Sequence, residues 1–277
     1  MARVPFGISR LDSMIGGGAP PGSVVLLAGE VGAGGREFAY TSAVMNGLAR
    51  ADAEQFDLYY GDLDERSRLP EDIRYLSFTA SESALVEEMR YTMERDLVEA
   101  GTGPMEFLDL SAEYFQLSQV PPEWYSERTR SITSLGDEHD RKDVLDALGD
   151  YLNDNAADSL VVIDSITDLL SLSEEVQWDD VPMLLKGLKR ASNRWGGLIL
   201  LLVSIDSITD TQLGRLMEAT DGAMLFEWAS GGSERDRTMV VKQFRGVLSR
   251  LEAENIVQFE TDITDSGFDI SDVRKIR

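Results

Sequence analysis

Residues 23–28 (Ser-Val-Val-Leu-Leu-Ala), 73–78, 159–164 and 198–204 are runs of mostly apolar residues without the alternation of a half-wet strand. Strands apolar on both faces must be covered on both faces, as in a parallel sheet between two layers of helix. Helical periodicity fills the intervals, over 35–49, 81–100, 140–153, 179–195 and 210–219. This alternation predicts an α/β fold with a mostly parallel sheet flanked by helices. Shorter strands are expected at 57–60 and 105–110. From Gly222 onward the pattern becomes strand after strand, over 223–228, 237–244, 255–260 and 267–270, so antiparallel C-terminal strands should extend the parallel core. No repeat or low-complexity linker interrupts the chain, and residues 1–277 are read as one domain. The aromatic, Pro121-Pro122-containing stretch 111–136 reads as an insertion or flap.

Composition narrows the chemistry. The 26 basic residues face 50 acidic ones, for a net charge of −24, and only five of the basic residues are Lys. Hydrophobic content of 43% is enough for a sizeable core, so acidity here does not mean disorder. A chain this acidic repels nucleic-acid phosphates and anionic lipid unless it concentrates a basic patch, and no run of Lys or Arg occurs. Acid excess with Arg in place of Lys is the composition of a protein working in molar salt, where the Debye length falls to ~3 Å; a salt-adapted host is expected. The absence of Cys excludes disulfides and thiolate chemistry, and the single histidine, His139, reads as a solvated residue near a helix start. The opening Met-Ala-Arg-Val-Pro-Phe-Gly lacks the apolar core of a secretory signal, and no apolar run approaches the ~20 residues that span a bilayer. A cytoplasmic protein without membrane insertion is expected.

Between the first apolar run and the first long helix lies Gly29-Glu-Val-Gly-Ala-Gly34-Gly35-Arg36. Strand, glycine loop and helix in this order form the context of a P-loop, G-x-x-x-x-G-K-[ST], whose backbone N–H groups cradle phosphates. Gly29 and Gly34 fit the spacing, with Gly32 between them. The ionic residues do not fit: Gly35 stands where Lys should reach the phosphates, and Arg36 where a hydroxyl should ligate Mg²⁺. About 130 residues on, the run 160–164 ends in Asp164, the form of a Walker B strand whose acid holds the metal. Asp164 also reads as a core hydrogen-bonding or capping acid. The N–H groups of residues 30–35 and the helix dipole remain available to an anion, and Arg36 could pair with a phosphate in the metal's place.

At these residues the chain resembles the KaiC-like branch of the RecA superfamily, which includes the archaellum protein FlaH and archaeal recombination-mediator ATPases. The likeness begins at residues 6–12 (Phe-Gly-Ile-Ser-Arg-Leu-Asp) and continues through 15–28 (Ile-Gly-Gly-Gly-Ala-Pro-Pro-Gly-Ser-Val-Val-Leu-Leu-Ala). Residues 73–83 are similar to the family's second core strand, Val203-Ser204 to the end of its sensor strand, and 219–222 and 241–246 to further family positions. The resemblance covers nearly the whole chain and is weakest over 111–136. It implies a RecA-like P-loop NTPase core with ATP and Mg²⁺ as the group's cofactors. It also implies that Lys242 and Arg245 face a neighbouring subunit's phosphate, although both also read as solvated edge-strand charges. Active relatives follow their second strand with adjacent glutamates that activate water, whereas this chain has Thr79 and Ala80. The P-loop Lys, the Mg²⁺ hydroxyl and the catalytic base are absent together. The expected protein is therefore a catalytically degenerate relative with a regulatory or assembly role, associating with itself or with a KaiC-like paralogue. Two other readings are an ATPase with unorthodox phosphate ligands and a recombination mediator touching single-stranded DNA; the net charge of −24 counts against the latter.

Overall fold

In a computed structural model, residues 2–116, 118–125, 144–170, 178–229, 236–253 and 256–275 are described. The elements run α1 (Ser9–Ile15), β1 (Ser23–Gly29), α2 (Gly35–Ala51), α3 (Ala53–Tyr59), β2 (Ile73–Ser77), α4 (Glu82–Thr92) and α5 (Arg95–Thr102). Then follow β3 (Met105–Asp109), α6 (Ser111–Phe115), α7 (Val144–Asn155), β4 (Leu160–Asp164), α8 (Ile166–Leu170) and α9 (Asp180–Trp195). The chain continues with β5 (Leu198–Ser204), α10 (Asp210–Ala219), β6 (Gly222–Trp228), β7 (Arg237–Phe244), α11 (Leu248–Ala253), β8 (Ile256–Thr264) and β9 (Gly267–Lys275).

Among the described residues the strands form one nine-stranded sheet in the order β3-β2-β4-β5-β1-β6-β7-β8-β9. The six strands from β3 to β6 are parallel neighbours, and β6 to β9 pair antiparallel. This is the α/β architecture that the apolar runs predict. The central strands are buried on both faces, so their side chains divide between two cores. Val25 and Leu27 of β1 pack with Phe38 and Val44 of α2 on one face, while Val24, Leu26 and Ala28 join Leu152, Leu185 and Leu216 on the other. Phe38 makes edge contacts with Phe6, Phe226 and Phe268 at ring-centroid distances of 5.7, 5.5 and 5.3 Å. These contacts fix α2, and hence the loop before it, against β6 and β9.

Two sequence expectations are corrected. Residues 57–60 are not a strand but the end of α3 and the residue after it. Asp52 starts that helix by accepting the Gln55 N–H at 3.0 Å, and Phe56 stacks on Tyr60, one helical turn on, with ring centroids 4.7 Å apart. The helix expected over 81–100 is two, α4 and α5. It breaks at Met93-Glu94, where the turn between β8 and β9 docks: the Glu94 N–H donates to the Asp265 carbonyl at 2.7 Å, and Met93 bridges Ser266. Of the stretch 111–136, α6 and a 3₁₀ turn at Pro122–Trp124 are described; its later part and His139 lie outside the described residues, as do the first residues of the helix expected over 140–153.

The Phe-Gly-Ile-Ser-Arg-Leu-Asp opening has a structural use. The Asp12 carboxylate accepts the N–H groups of Phe6 at 2.8 Å and Gly7 at 2.9 Å and the Tyr60 hydroxyl at 3.0 Å. Burial pushes its pKa up to about 7 against the pull of those donors. Gly18, at φ 116°, lies so close to Val4 that a Cβ would collide with the Val4 carbonyl. The Asp12→Ala variant should lose about 3 kcal/mol or more, since three donors are left unpaired; denaturant unfolding in high KCl measures it. Because the folded pKa lies above the ordinary value, the stability that Asp12 contributes through its proton is complete below about pH 4 and is lost as pH rises through about 7. Asp12→Asn should flatten that part of the stability–pH curve.

Candidate functional site

β1 and β4 end beside each other's loops because both lie next to β5 in the parallel sheet. After Gly29 the chain turns through Glu30-Val-Gly-Ala-Gly34 and enters α2 at Gly35. Gly32 at φ 77° and Gly34 at φ 108° take left-handed backbone that favours glycine. A Cβ on Gly34 would also press on the Phe268 ring at 3.1 Å. Gly35 differs: its φ is not positive, and a Cβ there would meet the Phe226 ring at 3.4 Å, an ordinary contact. Nothing in the backbone at Gly35 therefore requires a glycine.

Arg36 follows in the first turn of α2, and its Nη2 donates to Asp164 Oδ1 at 2.9 Å. Asp164, at the end of β4, is 4% exposed, whereas the Arg36 side chain is 52% exposed. The second carboxylate oxygen of Asp164 accepts the Tyr75 hydroxyl at 2.9 Å. Burial raises the Asp164 pKa, and the Arg36 charge and the Tyr75 hydrogen bond oppose that rise. Burial alone would lower the Arg36 pKa, but the facing Asp164 carboxylate outweighs it and holds the guanidinium above its ordinary value. Beside them the Tyr40 ring lies 5.9 Å from that of Tyr75, and its hydroxyl donates to Glu88 Oε2 at 2.6 Å. Thus Asp164 has a guanidinium on one oxygen and a phenol on the other.

The loop's own groups are also engaged. The Val31 N–H donates to Asp206 Oδ2 at 2.9 Å, the Glu30 N–H to the Phe226 carbonyl at 3.0 Å and the Ala33 N–H to the Glu30 carbonyl at 3.0 Å. From the other side, Trp228 donates its N–H to Glu30 Oε2 at 2.8 Å and its Nε1–H to the Val31 carbonyl at 3.1 Å. Arg237 donates Nε–H to the Gly32 carbonyl at 3.0 Å and lies over the Trp228 ring, 4.6 Å from its centroid. A cavity of about 440 Å³ beside the loop is lined by Glu30, Glu37, Arg36, Thr79, Asp168 and Ser204 among others.

The remaining residues singled out from the sequence separate into two groups. Gly29, Gly32, Gly34, Gly35, Arg36, Thr79, Asp164 and Ser204 meet at the ends of the parallel strands, and the Ser204 N–H is held by the Thr167 hydroxyl at 2.8 Å. Thr79 and Ala80 turn the chain out of β2, both donating N–H to the Ser77 hydroxyl, at 3.3 and 3.0 Å. Lys242 and Arg245 lie elsewhere. Gly29 is level with Phe226 in β6, which faces Met239 in β7, so Lys242 sits three residues farther along β7, away from the loop. Arg245 is 79% exposed, with Asp221 at 3.9 Å. The basic residue of β7 that reaches the loop is Arg237. Sequence reading missed it, together with Trp228 and Asp206; Trp228 and Arg237 are the facing last and first residues of β6 and β7, a pairing visible only once the hairpin register is known.

No protein-family model and no curated protein matches this chain. Among solved structures, it is similar to a KaiC-like protein from the hyperthermophilic archaeon Pyrococcus horikoshii, at a TM-score of 0.62 and 17% identity over 98% of this chain and 99% of that one. The fold is thus a KaiC-like, RecA-type α/β fold. No helix among the described residues is long and apolar enough to cross a membrane.

Arg36→Ala would leave Asp164 buried without its cation, and should cost about 2 kcal/mol, less than a fully enclosed pair because Arg36 is half in solvent. Asp164→Asn removes the buried charge as well and should cost less. Equilibrium unfolding of the two variants in the same buffer gives the comparison.

Proposed function

We propose that this chain is a catalytically degenerate KaiC/RecA-like protein, one domain over residues 1–277, that acts through protein association in a regulatory or assembly role. The observation that carries the proposal is the Arg36–Asp164 ion pair at 2.9 Å. In an active P-loop enzyme a Ser/Thr hydroxyl and a Walker B acid hold Mg²⁺ between them. Here a guanidinium tethered to the chain is already seated on the acid, so a divalent ion would have to displace a fixed positive charge and then face it at close range. Mg²⁺ does not fit this donor set.

ATP fits no better. Gly35 supplies no ammonium group for the phosphates, and a Val31 N–H is spent on Asp206. Glu30, Glu37 and Asp168 on the cavity wall present like charge to a polyphosphate. Thr79 and Ala80 offer no carboxylate to activate water. The retained framework and the lost chemistry together favour a surface role, with a copy of this chain or a KaiC-like paralogue as partner. The composition favours a cytoplasmic protein of a salt-adapted host and weighs against a nucleic-acid partner, and the resemblance to archaeal relatives makes a halophilic archaeon the proposed source.

The purified protein should show no Mg²⁺-dependent ATP hydrolysis in molar KCl. Turnover that disappears in Asp164→Ala would overturn the proposal. The combined substitution Gly35→Lys, Arg36→Thr and Thr79→Glu should create ATP binding measurable by calorimetry, since the backbone at Gly35 accepts a side chain. ATP binding to the unaltered protein, weakened by Arg36→Ala, would instead support an ATPase with unorthodox ligands.

A further inference from the structure

The sequence contains no cluster of basic residues, but the fold builds one. Residues 2–4 and 66–68 run side by side: the Arg3 N–H donates to the Arg66 carbonyl at 2.9 Å, and the Arg68 N–H to the Arg3 carbonyl at 2.7 Å. Arg250 comes to the same place from α11. The guanidinium ends of Arg66 and Arg250 converge over Gly16, where a Cβ would collide with Arg250 and lie 3.1 Å from Arg66 Nη2. Gly16 itself takes φ 84° and forms a floor with no side chain on it. Arg3 Nη2 donates to the Gly246 carbonyl at 3.1 Å, while its Nη1 is buried without a hydrogen-bond partner among the described residues. Burial, together with the charges of Arg66 and Arg250, lowers the Arg3 pKa.

Two guanidinium ends that meet at one glycine turn, with the Arg3 charge close enough to feel both, are costly unless an anion meets them. Part of that anion is present: Asp64 takes Arg66 in a two-point pair, with Nε and Nη2 each at 2.9 Å from a carboxylate oxygen. Arg3 Nη1 has no such oxygen among the described residues, in a chain with 50 acids. The cluster lies where β1, β2 and β6 begin, at the end of the sheet away from the glycine loop.

We propose that the exposed Arg66 and Arg250, with the charge of Arg3 close behind them, form a docking site for an acidic segment of a partner protein, one of whose carboxylates engages Arg250 as Asp64 engages Arg66. This rests on the association role proposed above and adds where the partner is held and by what chemistry. A nucleic acid suits the cluster less well. It binds through a track of several phosphates, whereas this patch occupies a single turn on a surface of net charge −24. A short acidic segment touches the patch alone.

The probe is a fluorescently labelled hexaglutamate peptide, titrated with the full chain at the lowest KCl that keeps it folded. Anisotropy should report saturable binding, weakened at least tenfold by Arg3→Ala combined with Arg250→Ala. Arg250→Lys, which keeps charge but not the planar fork, should fall between. Arg95→Ala, which removes one exposed charge elsewhere, should bind as the unaltered chain does, and near-UV circular dichroism confirms that each variant is folded. Equal binding by the folded double variant and the unaltered chain, or no binding by either, overturns the proposal. So does a hexathymidylate that binds the cluster more tightly than the peptide. ATP turnover accompanied by intact peptide binding would defeat the proposed function and leave this site standing.

Discussion

One contact organises the functional end of this molecule: the Arg36 guanidinium on the Asp164 carboxylate. It joins the first turn of α2 to the end of β4, across the β5 strand that separates β4 from β1. Asp164 is buried, and a buried carboxylate needs a cation or a proton. RecA-type enzymes bring that cation in with the nucleotide. Here it is part of the chain, present at every step and unable to leave. The Tyr75 hydroxyl on the second oxygen completes the coordination of the acid, so the site is satisfied without any ligand.

The neighbouring contacts follow the same logic. Asp206 takes an N–H of the glycine loop, and Trp228 and Arg237 hold three of its oxygens. The glycine loop is thus closed on its own protein. Molar salt screens long-range repulsion among the acids, but it acts weakly on a pair in contact with one partner buried. Salt would therefore relieve a strongly acidic surface while leaving this half-exposed ion pair largely intact.

The sheet was legible because its strands are apolar on both faces, and no other arrangement covers such runs. The helix at Ala53–Tyr59 was not, because Asp-Leu-Tyr-Tyr has the composition of a strand and only the Asp52 cap shows otherwise. The break at Met93-Glu94 is imposed by a turn near residue 265, far along the chain. At the site, the glycine positions and Asp164 could be read from spacing. The link between Arg36 and Asp164 could not, since it depends on strand order, and from sequence Arg36 was read as a partner for a phosphate. Trp228, Arg237, Asp206 and the meeting of Arg66 and Arg250 over Gly16 escaped notice for the same reason: each becomes adjacent only through the fold.

The claim that a guanidinium holds the place of a metal has a direct test in manganese electron paramagnetic resonance. With the unaltered protein and ATP in molar KCl, the free Mn²⁺ signal should stay at its protein-free intensity, and it should fall when Arg36→Thr and Gly35→Lys are introduced together. A free-ion signal quenched by the unaltered protein and restored by Asp164→Asn would contradict the account.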